Sequence, residues 1–385
     1  MVELTKNFMR ILPNEKKKIQ LIPQAVICHI DESAIFQQTV ESEEKLNHYM
    51  RENYAEYEYI NYKLEQVFEP GFAKNIEFDK IMKSTSNEHF VDFVRKDTTK
   101  TPIEQLNSLF DGIKKTTAKE DLLWNLKMAM LISIARREGC SYIFIGDSAT
   151  RQAIKMISMT AKGRGHSAAL DVSVDNYQSF PDICIMRPMK DMLAKEIAFY
   201  NRFSGIDKYV ISPFNYSTKM PGKSSIERLT EEFIVSIEQG FSSTVSTICR
   251  TIMKLTPAAD IDYSRTCAIC MMPVEPNISQ WRKHITVAEV EDAEVPTGSE
   301  TTPAITTAPE GDKGCDNCNG HCHAQSQPKV DMNNFLCYSC QVNLKDYTER
   351  SIESLPPYVT EKIHDEGRDD RLLDQIKDFL IEDNE

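Results

Sequence analysis

Two Cys-x-x-Cys pairs, Cys267-Ala-Ile-Cys270 and Cys337-Tyr-Ser-Cys340, constrain this chain more than any other feature. Each sets two thiols one tight turn apart, which is what half of a tetrahedral zinc site requires. If both pairs serve one ion, the chain must return to itself across everything between them. A third group, Cys315-Asp-Asn-Cys318 with His321, Cys322 and His323, lies in that interval. Spacing alone matches Cys315 and Cys318 to Cys337 and Cys340, because the gap falls inside the usual zinc window. Context favours the outer pairs, which sit beside Met271, Met272, Phe335 and Leu336, whereas the middle group lies among Gly, Asn and Gln. The expectation is a structural zinc held by Cys267, Cys270, Cys337 and Cys340. Reduced, unliganded thiols and a redox role are the alternatives, and the use of the middle group stays open. A RING cross-brace fails, since Cys322 directly follows His321 where that pattern needs an intervening residue.

The other four of the 11 cysteines, Cys28, Cys140, Cys184 and Cys249, are scattered. Residues 1–18 contain no secretory apolar run, and Glu3 and Glu15 argue against a transit peptide. Clustered cysteines without a secretory signal read as metal ligands rather than disulfides. The apolar stretches are short, as in Met128–Ile134, far from the roughly 20 residues that a membrane span needs. The expectation is a soluble, cytoplasmic chain of two or three domains, from 385 residues at roughly 100–200 per domain.

The net charge of −13 is concentrated. Residues 289–312 carry acids and no Lys or Arg, and 361–385 are also strongly acidic. The remaining body is nearly neutral, so it can carry a local basic face toward RNA, while a DNA-coating role is not expected.

Periodicity gives the framework. Leu4, Phe8, Ile11 and Leu12 predict an N-terminal helix, Ala25–Ile30 a strand, and residues of about 40–120 a helical insertion. From Asp121, Leu122, Leu123, Leu126, Met130 and Ile134 mark a helix ending at Arg136-Arg137 and Gly139. Ser141–Ile145 reads as a buried strand turning through Gly146-Asp147-Ser148 into a helix. Ile183–Met186 is the next strand, and Asp191 caps a helix to about Phe203. Such alternation predicts an α/β fold with a parallel sheet. Ser224 and Glu227 predict a capping box opening a helix to Glu238, and a second helix spans Ser243–Leu255. Residues 289–312 read as a disordered linker, and Leu372–Ile381 as an acidic docking helix.

Asp147 stands at the carboxyl end of a strand, where open α/β sheets bind ligands. It could contact a ribose or a metal-bound water, or simply cap the next helix. Arg151, Lys155, Lys162 and Arg164 follow it and could contact phosphates or form a solvated face. Met220-Pro-Gly-Lys-Ser-Ser225 resembles the end of a P-loop, but its first glycine would fall on Ser217, so it reads as a loop and helix cap. No Ser-Gly-Gly-x-Ser pyrophosphate loop occurs.

Several segments together resemble the cytoplasmic tRNA 2-thiolation protein 2 family. They are Tyr142-Ile-Phe-Ile-Gly-Asp-Ser-Ala-Thr-Arg151, Lys162-Gly-Arg-Gly165, Arg187-Pro-Met, Lys195-Glu-Ile-Ala-Phe-Tyr-Asn-Arg202, Lys223-Ser-Ser-Ile-Glu-Arg-Leu-Thr230 and the two Cys-x-x-Cys knuckles. The resemblance implies a PP-loop-like α/β domain over 1–255 and a zinc-ribbon-like module over 256–350, interrupted by a linker at about 287–330. A docking segment over 351–385 would complete the chain. It also implies a cytoplasmic heterodimer with a catalytic paralogue, the 2-thiolation protein 1. That complex thiolates the wobble uridine of tRNAs for Lys, Glu and Gln, with sulfur from the thiocarboxylated ubiquitin-related modifier.

Two departures from the family pattern matter. The usual N-terminal Cys cluster and first strand with its Ser-Gly-Gly-type loop do not precede this chain's first helix, so either translation starts upstream of Met1 or this version lacks them. Catalytic relatives also carry Gly-His-Asn-x-Asp-Asp where this chain has Gly146-Asp147-Ser148, and a Cys where it has Leu122, Leu123 and Trp124. The expectation is therefore a non-catalytic subunit, with zinc as its structural ion, Asp147 as a vestigial nucleotide-site position, and ATP used only through its partner. The alternatives are an adenylating sulfurtransferase using Asp147 and the Cys315–His323 group, or a zinc-bearing interaction module unrelated to RNA.

Overall fold

The computed structural model describes residues 2–3, 24–37, 40–69, 72, 100–211, 215–257, 259, 261–278, 332–345, 347, 354–363 and 365–366. Most of the expected N-terminal helix, the acidic linker, the Cys315–His323 group and the docking helix at Leu372–Ile381 lie outside the described residues. The chain divides into two units, one formed by 1–275 with 332–385 and the other by 276–331, and the fold below is that of the first.

The first strand, β1 (Val26–Asp31), runs parallel to β2 (Glu58–Lys63), in register from Val26 opposite Glu58 to Asp31 opposite Lys63. Parallel neighbours need a crossover, and α1 (Val40–Asn53) supplies it. The region of about 40–120 is therefore not a purely helical insertion. Tyr59, Ile60 and Tyr62 are strand formers whose signal is masked by the charges at Glu58 and Lys63. A 3-10 turn at Leu64–Phe68 buries Leu64, Val67 and Phe68. Then α2 (Pro102–Asp111) opens with a capping box in which the Thr101 hydroxyl accepts from the Glu104 N–H and the Glu104 carboxylate accepts from the Thr101 N–H.

The central helix, α3 (Thr116–Arg137), begins a full turn before Asp121. It buries Leu122, Leu123, Leu126, Met130 and Ile134 as expected, but also Glu120, Asp121 and Asn125, so it is enclosed on more than one face. Gly139 takes φ +66°, the left-handed stop that glycine tolerates. β3 (Tyr142–Phe144) pairs in parallel with β5 (Cys184–Met186), and the two-residue β4 (Asp175–Asn176) adds an antiparallel edge in the order β3-β5-β4.

Helix α4 (Ala149–Ala161) follows β3, and the short α5 (Ala168–Asp171) follows α4. After β5 come α6 (Ala194–Phe203), α7 (Ile226–Gly240) and α8 (Thr244–Ile252). Ala149, Ala153 and Ile154 of α4 pack on Ile234 of α7 and Val245 of α8, and each large apolar side chain buried this way contributes about 1.5–3 kcal/mol. Three caps differ from the sequence expectation. Ser148, not Asp147, accepts from the Arg151 N–H. Ser225, not Ser224, accepts from the Arg228 N–H. Leu193, not Asp191, occupies the N-cap of α6, its N–H donating to the Glu196 carboxylate. In the first two cases the adjacent polar residue offered similar side-chain chemistry, whereas at α6 the cap residue has no polar side chain and the Glu196 carboxylate takes up its N–H instead. The P-loop-like stretch is a 3-10 turn at Gly222–Ser224 leading into that capped helix.

Candidate metal centre and the ion pairs around it

The two outer knuckles converge. Cys267, Cys270, Cys337 and Cys340 are buried, and their four sulfur atoms lie within 4.8 Å of one another. Cys270 Sγ and Cys337 Sγ are 3.7 Å apart, and a tetrahedral ion with Zn–S bonds of about 2.3 Å places its sulfurs about 3.8 Å apart. None of the four is in a disulfide.

Backbone geometry builds this arrangement. In the first knuckle the Cys267 N–H donates to Met272 O at 2.8 Å and the Met271 N–H to Cys267 O at 2.9 Å, with Met271 at φ +60°. In the second, Cys337 caps α9 (Tyr338–Leu344), so Cys340 falls one turn along the same helix. The Ala268 N–H donates to Phe335 O at 2.9 Å and stitches the knuckles together. The Tyr358 hydroxyl donates to Ile269 O. Four sulfur donors with no carboxylate among them suit a soft, tetrahedral ion such as zinc.

The segment Lys162-Gly163-Arg164 lies directly against this centre. Arg164 Nη2 donates to Asp121 Oδ2 at 2.6 Å and lies 3.5 Å from Cys340 Sγ. Lys162 Nζ donates to Asp121 Oδ1 at 2.9 Å and to Glu227 Oε2 at 3.0 Å. Asn343 of α9 donates to Asp121 Oδ2 at 2.6 Å. Asp121 thus joins α3, the loop after α4 and the second knuckle. Burial pushes its carboxyl pKa up, but Arg164 and Lys162 more than offset this and hold it well below the usual carboxylate range. Gly163 has φ +81°, and a Cβ there would lie 2.6 Å from the Tyr338 ring, so glycine alone lets the loop approach α9.

A second buried cluster closes the carboxyl end of β3. Asp147 accepts from Lys155 Nζ at 2.6 Å and from Arg187 Nε at 3.4 Å. Lys155 Nζ also lies 3.5 Å from the centroid of the Trp124 ring. Arg187 donates to Ser173 O and Asp171 O at 2.6 Å each. Burial raises the Asp147 pKa, and Lys155 then Arg187 bring it below the usual range. Burial pulls the Lys155 ammonium down to about 8 against the attraction of Asp147, so the pair is charged at neutral pH.

These contacts correct the expectation for the basic residues. Lys155, Lys162 and Arg164 are only 3%, 9% and 3% exposed, and each faces a carboxylate of this chain. They are internal counter-ions, not a solvated phosphate-contacting face. Arg151 is the half-buried member of the four. Sequence reasoning missed Asn343 as a partner of Asp121, Trp124 as a platform for Lys155, and the stapling role of Glu227. An acid inside an otherwise apolar helix face, as at Asp121, was the available signal.

Thiol chemistry elsewhere is quiet. Burial raises the pKa of Cys28 to about 11, and burial followed by nearby carboxylates raises Cys140, Cys184 and Cys249. Outside the four-cysteine cluster, no described cysteine has the lowered pKa of a reactive thiolate.

The fold and site together define an α/β protein whose C-terminal knuckle helix is fastened to the core by a tetracysteine centre and a buried ion network. Residues 225–342 match the family model described as cytoplasmic tRNA 2-thiolation protein 2. The chain belongs to this family. It is 34% identical over 294 residues to the human cytoplasmic tRNA 2-thiolation protein 2, covering 73% of this chain and 56% of the relative. The bovine protein of the same name is 33% identical over 291 residues, covering 74% and 56%. This chain thus spans about half the length of the curated relatives it matches. Among solved structures, the U34-tRNA thiolase NcsA from Methanococcus maripaludis with its 4Fe-4S cluster superposes with a TM-score of 0.41 and 14% identity, covering 65% of this chain and 72% of that one. Among the described residues no helix is long and apolar enough to cross a membrane.

Proposed function

We propose that this chain is the non-catalytic subunit of the cytoplasmic heterodimer that 2-thiolates the wobble uridine of tRNAs for Lys, Glu and Gln. The chemistry requires ATP held by its pyrophosphate, activation of the uridine C2 oxygen by adenylation, and a sulfur donor delivered from the thiocarboxylated ubiquitin-related modifier. In this reading the catalytic paralogue, 2-thiolation protein 1, performs those steps and binds the ATP. The present chain contributes a PP-loop-like scaffold, a structural zinc at Cys267, Cys270, Cys337 and Cys340, and part of the tRNA surface, with Arg151 as its candidate phosphate contact.

The observation that carries the reading is the state of Asp147. The acid at the ligand-binding end of β3 is spent on Lys155 and Arg187, so Asp147 is not free to orient a nucleotide or hold a metal-bound water. The test is genetic. Cells lacking the chain should lose thiolated wobble uridine, and re-expression with Cys315→Ser and Cys318→Ser should restore it. Failure of that double variant to restore thiolation would favour a sulfur-transferring enzyme, and normal thiolation in the deletion would favour an interaction module unrelated to RNA.

A further inference from the structure

We propose that Arg164 is a positioning residue of the metal centre, whose guanidinium donates to the Cys340 thiolate and sets how strongly that sulfur holds the ion. The inference rests on the reading of the four cysteines as a metal site. Four thiolates around a divalent ion carry a net charge of −2, and a buried charge is costly unless it is paired and hydrogen-bonded. Arg164, itself 3% exposed, brings its Nη2 to 3.5 Å from Cys340 Sγ.

The guanidinium is fixed from two directions. Asp121 of α3 accepts from the same Nη2 at 2.6 Å, and Asn343, on the same helix as Cys340, donates to that carboxylate oxygen at 2.6 Å. Arg164 Nε is buried without a hydrogen-bond partner among the described residues. The side chain thus forgoes one hydrogen bond to present Nη2 to the acid and the sulfur together. Outer partners of this kind orient metal ligands and tune their basicity. A hydrogen bond to a coordinated thiolate lowers the energy of the sulfur lone pair. It therefore moves the sulfur-to-metal charge-transfer band to higher energy and makes the thiolate harder to protonate and displace. The Lys162-Gly-Arg-Gly165 segment then serves the metal centre, with Gly163 permitting the approach and Arg164 making the contact.

The test replaces zinc by cobalt(II) in the whole chain and compares wild type with Arg164→Met and Arg164→Lys. The tetrahedral d–d bands report an intact four-sulfur site, so a general loss of structure is visible independently. With those bands retained, Arg164→Met should shift the sulfur-to-cobalt band to lower energy and weaken metal binding by about 10–100-fold in chelator competition. Arg164→Lys, which keeps the charge, should recover part of both effects. An unmoved band and unchanged affinity in Arg164→Met would overturn the proposal. If Arg164→Met does not fold, cadmium-113-loaded wild-type protein decides. A scalar correlation between the metal and a guanidinium proton supports the contact, and its absence overturns it. A wild-type chain that takes up no cobalt overturns the metal reading and this inference with it, whereas tetrahedral cobalt with an insensitive band overturns this inference alone.

Discussion

Replacing Asp121 by asparagine keeps the side chain's shape and removes its charge. Asp121 is 2% exposed and serves Arg164, Lys162 and Asn343 at once. The variant leaves two buried cations short of an anion, with Glu227 as the hydrogen-bonded acid of Lys162 and the Cys340 sulfur as the hydrogen-bonded partner of Arg164 among the described residues. Breaking one side of a buried ion pair costs about 3–5 kcal/mol, because the remaining charge is left uncompensated. Two cations share this carboxylate, which puts the expected loss toward the upper end. The half-exposed pair Arg136–Asp182 is the control, since exposed pairs contribute about 0–1 kcal/mol. Urea unfolding of the metal-loaded chain, followed by tryptophan fluorescence, compares Asp121→Asn with Asp182→Asn. At an m value of about 3 kcal/mol/M the first should lower the midpoint by about 1.3–1.7 M, and the second by well under half that. Equal midpoints for the two variants would refute the view that Asp121 fastens α3 to the knuckle helix.

Gly163→Ala should cost more than about 1 kcal/mol, from its left-handed φ of +81° and the approach to Tyr338, whereas Gly165→Ala, with nothing within 4 Å of the added carbon, should fall within about 0.5 kcal/mol of wild type in the same unfolding assay. Ser225→Ala should lose about 1 kcal/mol by removing the cap of α7, and Ser224→Ala distinctly less; helical content and unfolding midpoints separate them. Asp147 has a folded pKa below its ordinary 3.8, so the unfolded chain binds more protons through that window. On the acid side its contribution is complete above about pH 5 and lost as pH falls through the folded value. The stability gap between wild type and Asp147→Asn should therefore be widest between about pH 5 and about pH 8, shrinking on acidification and again as the Lys155 ammonium loses its proton near 8.

The knuckles were legible in the sequence because two thiols in one turn, flanked by Met271, Met272, Phe335 and Leu336, leave few other uses for them. β1, β3, β5 and helices α4, α6, α7 and α8 were legible because period and local punctuation agree. β2 was hidden, since Glu58 and Lys63 bracket its aromatic core and make six residues look like part of a charged helix. The basic residues were misjudged for a different reason. Lys162 and Arg164 find their acids 41, 65 and 43 positions away, a distance over which sequence pattern carries no pairing information. Lys155 is only 8 residues from Asp147, yet its burial follows from the packing of Trp124, which no local pattern announces.

ATP-dependent thiolation of tRNA by the purified chain, alone and beside the proposed catalytic paralogue, is the deciding measurement. Thiolated wobble uridine should form only when the paralogue is present. Repeated turnover by this chain alone would contradict the assignment, and with it the reading of Asp147 as an acid consumed by internal pairing.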